Sequence, residues 1–405
     1  NRYVRGMVFR LEQIWLIEVL KGIGRFFLHP IFYYALLLAL VSGAARVKRE
    51  RNDFHIRIYK GSLELRSLFP AGLICGLILS ALSVAAGVEV SWPVLAAVAA
   101  ATILFSLVGQ FRFLSPAFTL GIPVLLFFVF TWLPVQLPDW MSGTTDAMVA
   151  GLSILAGLLL LAEGVLLRTS GTKHVSPKLR KSRRGLNVGA FVAKKLWLVP
   201  VVCFLPAGPL SVTASWWPVV NWGGHTFSLV LVPFLIGFQH QIQSTLPQSA
   251  LKRIGTWVIW AGIMTTAIGA AGLYFPYFPA VAAVFAIVAR AWISIRHRMR
   301  ENNAPYYFTQ QNNGMIVLGI IPGSKAEKMG LSIGEVISKC NGEPVRNTDE
   351  FYRALQKSPA YCKLEVIDTN GEMRFAQGAL YEGEHHELGI LTVENNINWD
   401  PDQAG

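Results

Sequence analysis

Pro322–Val345 reads PGSKAEKMGLSIGEVISKCNGEPV, and this stretch decides the fold of the C-terminal quarter. A Pro-Gly-Ser turn opens it. Ser324–Met329 predicts a short helix, which Gly330 stops. Glu335–Cys340 reads as a strand, and Asn341-Gly342 is a hairpin-turn dipeptide. Upstream, Met315–Ile321 predicts another strand. Downstream, Asn347-Thr348-Asp349-Glu350 predicts a capped helix start. That helix continues through Phe351, Tyr352 and Leu355 and ends before Pro359. Tyr361–Asp368 and Met373–Leu380 read as two strands turned at Asn370-Gly371. The pattern predicts a small β-rich domain over 303–395, followed by a tail, 396–405.

Toward the N-terminus the chain changes character. It is 53% hydrophobic and 15% charged, with a mean hydropathy of +0.44. Soluble globular proteins carry about 25% charged residues, so the composition predicts a membrane protein. Residues 1–302 hold 28 Lys/Arg against 10 Asp/Glu, a net of +18, and residues 303–405 hold 8 against 14, a net of −6. Opposite charge and different hydropathy predict two regions. The basic excess fits loops beside an anionic leaflet, with membrane lipid rather than nucleic acid as the partner.

Apolar runs of spanning length predict eight crossings: Leu68–Gly87, Trp92–Val108, Ser115–Val135, Asp146–Leu167, Leu196–Val220, Thr226–Gln239, Ile254–Phe275 and Pro276–Ile295. The loops support alternation. Arg46–Ser67 carries seven Lys/Arg and Arg168–Lys195 carries nine, whereas Val88–Ser91, Gln136–Thr145 and Asn221–His225 carry none. Basic loops face the cytoplasm, which places the C-terminal domain there. The helical membrane region is thus expected over 28–302. Residues 1–27 read as an amphipathic segment at the cytoplasmic face, and Ile31–Ala45 as a re-entrant or interfacial segment broken at Pro30.

Ionisable residues inside spans are the usual pointers to a pore or catalyst. Glu163, Arg290 and His240 all lie near predicted span ends, so each reads as interfacial. H-E-x-x-H, G-x-S-x-G, a Walker A loop and G-x-G-x-x-G are absent. The four cysteines show no C-x-x-C spacing. His385-His386 lacks a third ligand and reads as a solvated pair. No catalytic residue, metal site or cofactor is expected. The chain begins at Asn1, and no signal peptide with a cleavage site is visible.

The stretch Pro322–Val345 resembles the PDZ family, whose pattern agrees in order at some ten positions over about residues 303–393. Met329 stands where a small Ala is usual, and Glu335 where Asp is usual. The resemblance implies a groove that receives a peptide as an added strand beside one helix. The family's carboxylate loop normally precedes this core, but the segment there, NAPYYFTQQNN, has no apolar-Gly-apolar triplet. Leu388-Gly389-Ile390 does. A circularly permuted domain would therefore place Ile390, Leu391, Thr392 and Val393 as the receiving strand, with Tyr352 and Leu355 on the helix side. The acids Glu382, Glu384 and Glu387 suit a basic ligand residue or an internal segment. The bland reading of the triplet is a turn into the last core strand.

The stretch FFLHPIFYYALLL (Phe26–Leu38) and HHELGI (His385–Ile390) together resemble the MinJ family of cell-division topological determinants, over essentially the whole chain. That resemblance implies a non-enzymatic adaptor at septum and poles. It would link a DivIVA-like scaffold and other divisome membrane proteins to the MinD-type ATPase, restricting FtsZ ring assembly. A homo-oligomer stays open. The competing readings are a PDZ-containing membrane protease or protease cofactor, which the missing H-E-x-x-H opposes, and a transporter with a regulatory PDZ domain.

Overall fold

Proline breaks a helix interior and cannot donate to a sheet ladder. Two prolines in the second half of the membrane region face each other. In the computed structural model, which describes residues 2–132, 146–182, 184–211, 226–358, 361–379 and 388–393, strands β1 (Ser176–Lys181), β2 (Asn187–Ser211) and β3 (Thr226–Ile242) form a three-stranded antiparallel sheet in that order. Pro200 lies opposite Pro233 in the β2–β3 ladder. Facing pairs in such a ladder alternate between bonded and non-bonded. Two facing prolines can form only a non-bonded pair, so their missing N–H groups cost no ladder bond.

The runs Leu196–Val220 and Thr226–Gln239, expected as helical spans, are therefore corrected. Their described parts lie in β2 and β3, which pair antiparallel, and 212–225 lies outside the described residues. Length and hydropathy do not separate a buried strand from a helix. β3 alone has 17 residues, roughly 55 Å at about 3.3 Å each, against about 30 Å of hydrocarbon.

A bare sheet edge is not tolerated in lipid, and both edges of the β2–β3 pair are covered. Helices α1 (Arg2–Leu28), α2 (Pro30–Phe54), α3 (Leu63–Leu68) and α4 (Pro70–Ala86) precede the sheet. α4 lies on the outer edge of β2 through its small residues. A Cβ at Gly72 or Gly76 would overlap the carbonyl oxygens of Leu198 and Pro200 respectively. Ser80 Oγ accepts from Val202 N at 3.0 Å, and Phe204 N–H and C=O bond Val88 O and Val90 N at 3.0 and 2.8 Å. Leu73, Ile74, Leu77 and Ile78 on the opposite face of α4 are exposed, as a lipid-facing surface requires. On the β3 edge, Arg25 of α1 donates to Leu229 O at 2.7 Å and Gln239 Oε1 accepts from Phe111 N at 3.1 Å. Phe111–Leu114 is a 3-10 turn.

The remaining helices are α5 (Trp92–Leu107), α6 (Pro116–Thr119), α7 (Gly121–Trp132), α8 (Asp146–Thr169), α9 (Pro247–Ala271) and α10 (Phe278–Asn303). α8 is the buried centre. It meets α9 through Gly157 and Gly164 against Gly255 and Gly262, positions where an added Cβ would strike the facing helix. Small residues allow that close approach. Five helical stretches among the described residues are long and apolar enough to cross a membrane: Pro30–Phe54, Leu63–Ala86, Met148–Thr169, Pro247–Ala271 and Phe278–Asn303. The segment around Ile31–Ala45, expected to be short, is part of the first of these.

Glu163 and Arg290 also require correction. Neither is interfacial: both are completely buried, and Arg290 Nη2 lies 2.8 Å from Glu163 Oε1. α10 continues eight residues past Ile295, which moves Arg290 away from the helix end. His240, on β3, is buried as well.

The C-terminal domain starts beyond α10. β4 (Met315–Ile316), β5 (Gly319–Ile320), α11 (Lys325–Lys328), β6 (Val336–Cys340), β7 (Glu343–Pro344), α12 (Thr348–Gln356), β8 (Tyr361–Ile367), β9 (Met373–Ala379) and β10 (Ile390–Leu391) follow in order. One sheet runs β4-β6-β8-β9 with β7 on β6, and the other pairs β10 with β5. The single strand expected over Met315–Ile321 is thus two. The chain changes partner at Val317–Leu318, where both side chains are fully buried.

Candidate peptide-binding groove

Local sequence builds the walls. Asn347 caps α12 by accepting from Glu350 N at 2.8 Å, while Glu350 Oε2 accepts from Arg346 N at 2.9 Å. Phe351, Ala354 and Leu355 of α12 are buried in the domain core, and Tyr352 is half-buried beside it. Of the two helix residues expected to line a groove, Tyr352 reaches the surface. Leu355 has no exposed area and serves the core instead.

Gly389 adopts φ +79°, a conformation that favours glycine. Its Cβ position is also occupied, since an added carbon would collide with Ser324 Cβ and lie 2.6 Å from Ser324 Oγ. The triplet is stitched to the turn before α11. Leu388 O accepts from Ala326 N at 3.0 Å and Gly389 O from Ile321 N at 2.9 Å. The second bond flanks the Ile390/Ile320 pair and makes it a non-bonded pair, so the N–H and C=O of Ile390 point away from β5. That is the geometry of an edge open to strand addition.

The two faces of this strand differ. Leu388 and Ile390 pack with the domain core near Tyr352, Met329 and Ile320. Leu391 and Val393 are buried on the other side, where they close over Gly319 and Gly189 respectively. Gly189 belongs to β2, so this second face rests on the membrane region. Thr392 Oγ1 meets Thr348 Oγ1 at 3.2 Å, which closes the groove at the start of α12. Sequence reading missed that contact and the seat on β2, because both pair residues remote in the chain. The expected acids Glu382, Glu384 and Glu387, and His385-His386, lie outside the described residues.

Away from the groove, Glu335 holds Arg374 with contacts of 2.7–3.0 Å and accepts from Ser332 N at 2.9 Å. Glu335 makes both contacts from a position where the family usually has Asp. Buried Cys340 and Cys362 hydrogen-bond to each other, which lowers the Cys340 pKa and raises that of Cys362. Among the described residues no cluster of three metal-ligating side chains occurs.

Comparison with known proteins places this geometry. Residues 316–367 match the family model described as PDZ domain. The chain is 37% identical over 384 residues to the cell division topological determinant MinJ of Bacillus subtilis, covering 94% of this chain and 96% of that protein. It is 28% identical over 370 residues to a probable cell division topological determinant MinJ of Lacticaseibacillus paracasei, covering 89% and 94%. No solved structure matches.

Proposed function

The chain belongs to the MinJ family of cell division topological determinants, and from that membership we propose that it is a membrane-anchored adaptor in division-site selection. In this reading its spans hold a cytoplasmic, circularly permuted PDZ domain near the leaflet at septum and poles. β10 receives a segment of a partner, and the protein links a DivIVA-like scaffold to a MinD-type ATPase, restricting FtsZ ring assembly. The observation that carries the proposal is the outward-facing backbone of Ile390, set between left-handed Gly389 and the exposed side of Tyr352. Holding partners at the membrane raises their local concentration, so a short groove of modest affinity suffices. The positive-inside pattern of the loops supports the cytoplasmic placement.

Gly389→Asp tests the groove. The variant adds a Cβ where Ser324 already sits and a negative charge where a terminal carboxylate would dock. A fluorescent fusion of the wild type is expected at septa and poles. The variant, present at equal abundance in the membrane fraction, is expected to spread evenly. A variant placed like the wild type removes the groove from the mechanism, and an evenly spread wild type removes the adaptor reading.

A further inference from the structure

A second concave site lies outside the C-terminal domain, at the end of the membrane region from which that domain emerges. It is a cavity of about 470 Å³ bounded by α2, the turn before α6, β1, the end of β3 and the last turns of α10. About 10–15 Å³ by this measure suffices for one water. Its wall carries five cations: Arg49, Arg112, Lys178, Arg180 and Arg298. Its one acid is Glu301: Oε2 accepts from Gln243 N at 2.7 Å and from Ser244 N at 2.9 Å, while Oε1 is buried without a hydrogen-bond partner, 3.9 Å from His297 Nδ1.

Cations gathered this closely normally have carboxylate partners. Here Arg112, Lys178, Arg180 and Arg298 form no ion pair among the described residues, and Arg180 instead donates to Gln243 Oε1 at 3.1 Å. Arg49 donates to Ser176 Oγ at 2.8 Å, yet its Nε is buried without a hydrogen-bond partner, as is Nε of Arg112. His240, more than nine-tenths buried, lines the same cavity with Nε2 unpartnered. Burial first, then the neighbouring Arg298 and Arg290 guanidiniums, push the Arg112 pKa down, as expected of a cation placed beside like charges.

Buried donors without acceptors, clustered positive charge and an open volume together describe a site missing its anion. We infer that this cavity binds a phosphate group, held by the guanidinium forks of Arg112 and Arg298 with Lys178 at the rim. Guanidinium forks match phosphate oxygens in pairs. The site lies where the apolar stretches of α2 and α10 give way to basic residues, the level at which anionic headgroups meet a protein. A phospholipid headgroup is therefore one source and soluble phosphate the other.

The test uses the full chain in detergent and nanodiscs. Retention of phosphatidylglycerol is compared with phosphatidylcholine by native mass spectrometry, and inorganic phosphate is titrated separately. In the wild type, phosphatidylglycerol is retained preferentially if the source is lipid, and inorganic phosphate binds saturably if the source is soluble. Arg112→Gln/Arg298→Gln is expected to weaken the observed binding by at least about tenfold, the scale of losing a charge-assisted bond. Lys178→Gln weakens it less. Arg66→Gln/Lys252→Gln, which removes two exposed cations elsewhere, leaves it unchanged. Thermal unfolding in neutral lipid controls for folding. No preference for either anion, or equal loss in both double variants, overturns the site.

Discussion

The buried pair Glu163–Arg290 allows a quantitative test of the bundle. Arg290 Nη2 and Nε lie 2.8 and 3.0 Å from Glu163 Oε1, Glu163 Oε2 takes the Ser115 hydroxyl, and Arg290 Nη1 donates to Ser294 Oγ at 2.6 Å. Arg290→Met leaves a carboxylate enclosed with one neutral donor. Glu163→Leu leaves a guanidinium with the Ser294 hydroxyl and the face of the Phe238 ring but no counter-ion among the described residues. Removing one member of a buried pair costs about 3–5 kcal/mol, whereas replacing both with apolar side chains is neutral or stabilising by about 1–4 kcal/mol. The orphaned Ser115 hydroxyl offsets that gain by about 1–3 kcal/mol. At about 1–2 °C per kcal/mol for a chain of this size, each single variant is expected to unfold roughly 3–10 °C lower. Glu163→Leu/Arg290→Met stays within a few degrees of the wild type, a coupling of about 3 kcal/mol or more. The assay is thermal unfolding in nanodiscs of fixed lipid, followed by tryptophan fluorescence. Single variants within about 2 °C of wild type would mean that water reaches the pair. A double variant as damaged as the two singles summed would refute the coupling.

Two further outcomes follow from local geometry. Gly76→Val drives side-chain atoms into the Pro200 carbonyl and is expected to cost about 1–3 kcal/mol, while Leu77→Val on the exposed face of α4 stays within about 0.5 kcal/mol; equal shifts in unfolding temperature would mean that α4 does not seal β2. Asp368 accepts from the backbone N–H groups of Glu372 and Asn370 at 2.9 and 2.8 Å, and these bonds, that of Glu372 foremost, hold its pKa below the ordinary 3.8. A depressed carboxylate stabilises above its unfolded pKa and loses that contribution as pH falls through the folded value, so protection of the Glu372 amide from hydrogen exchange should drop below the ordinary carboxylate range in the wild type, and Asp368→Asn should abolish that step. An identical pH profile in the two would exclude the carboxylate.

What could be read from the sequence was what local chemistry decides. Gly330, Gly342 and Gly371 have positive φ, as does Asn341, and each lies at a turn expected from residue type. Asn347 caps the helix that its capping pattern announced. The β2–β3 pair could not be read the same way. A strand enclosed on both faces is apolar at every position, so the two-residue alternation that separates strand from helix is erased. The facing prolines Pro200 and Pro233 were the available signal, since a proline inside a long apolar run argues against a regular helix. Glu163 and Arg290 stand 127 residues apart in sequence, so no spacing rule brings them together. The triplet Leu388-Gly389-Ile390 was legible as a loop; the burial of Leu355 and the Thr348–Thr392 contact depend on tertiary packing.

The seat of the C-terminal domain constrains how its groove can work. Gly189 N donates to Phe308 O at 2.8 Å, Tyr307 N donates to Gln243 O at 2.9 Å, and the Phe191 and Phe308 rings meet edge to face at 5.1 Å. Leu318 and Val393 crowd the same glycine. β10 is therefore fixed from behind by β2, a strand that continues into the membrane region. A segment added beside Ile390 cannot be admitted by moving β10 without breaking that seat. α12 takes part in none of these contacts: this helix carries exposed Asp349, a half-buried Tyr352 and exposed Arg353, and its Thr348 meets Thr392, just past β10. In the proposed reading a partner strand is therefore admitted by outward movement of α12, with the Thr348–Thr392 contact the first to break.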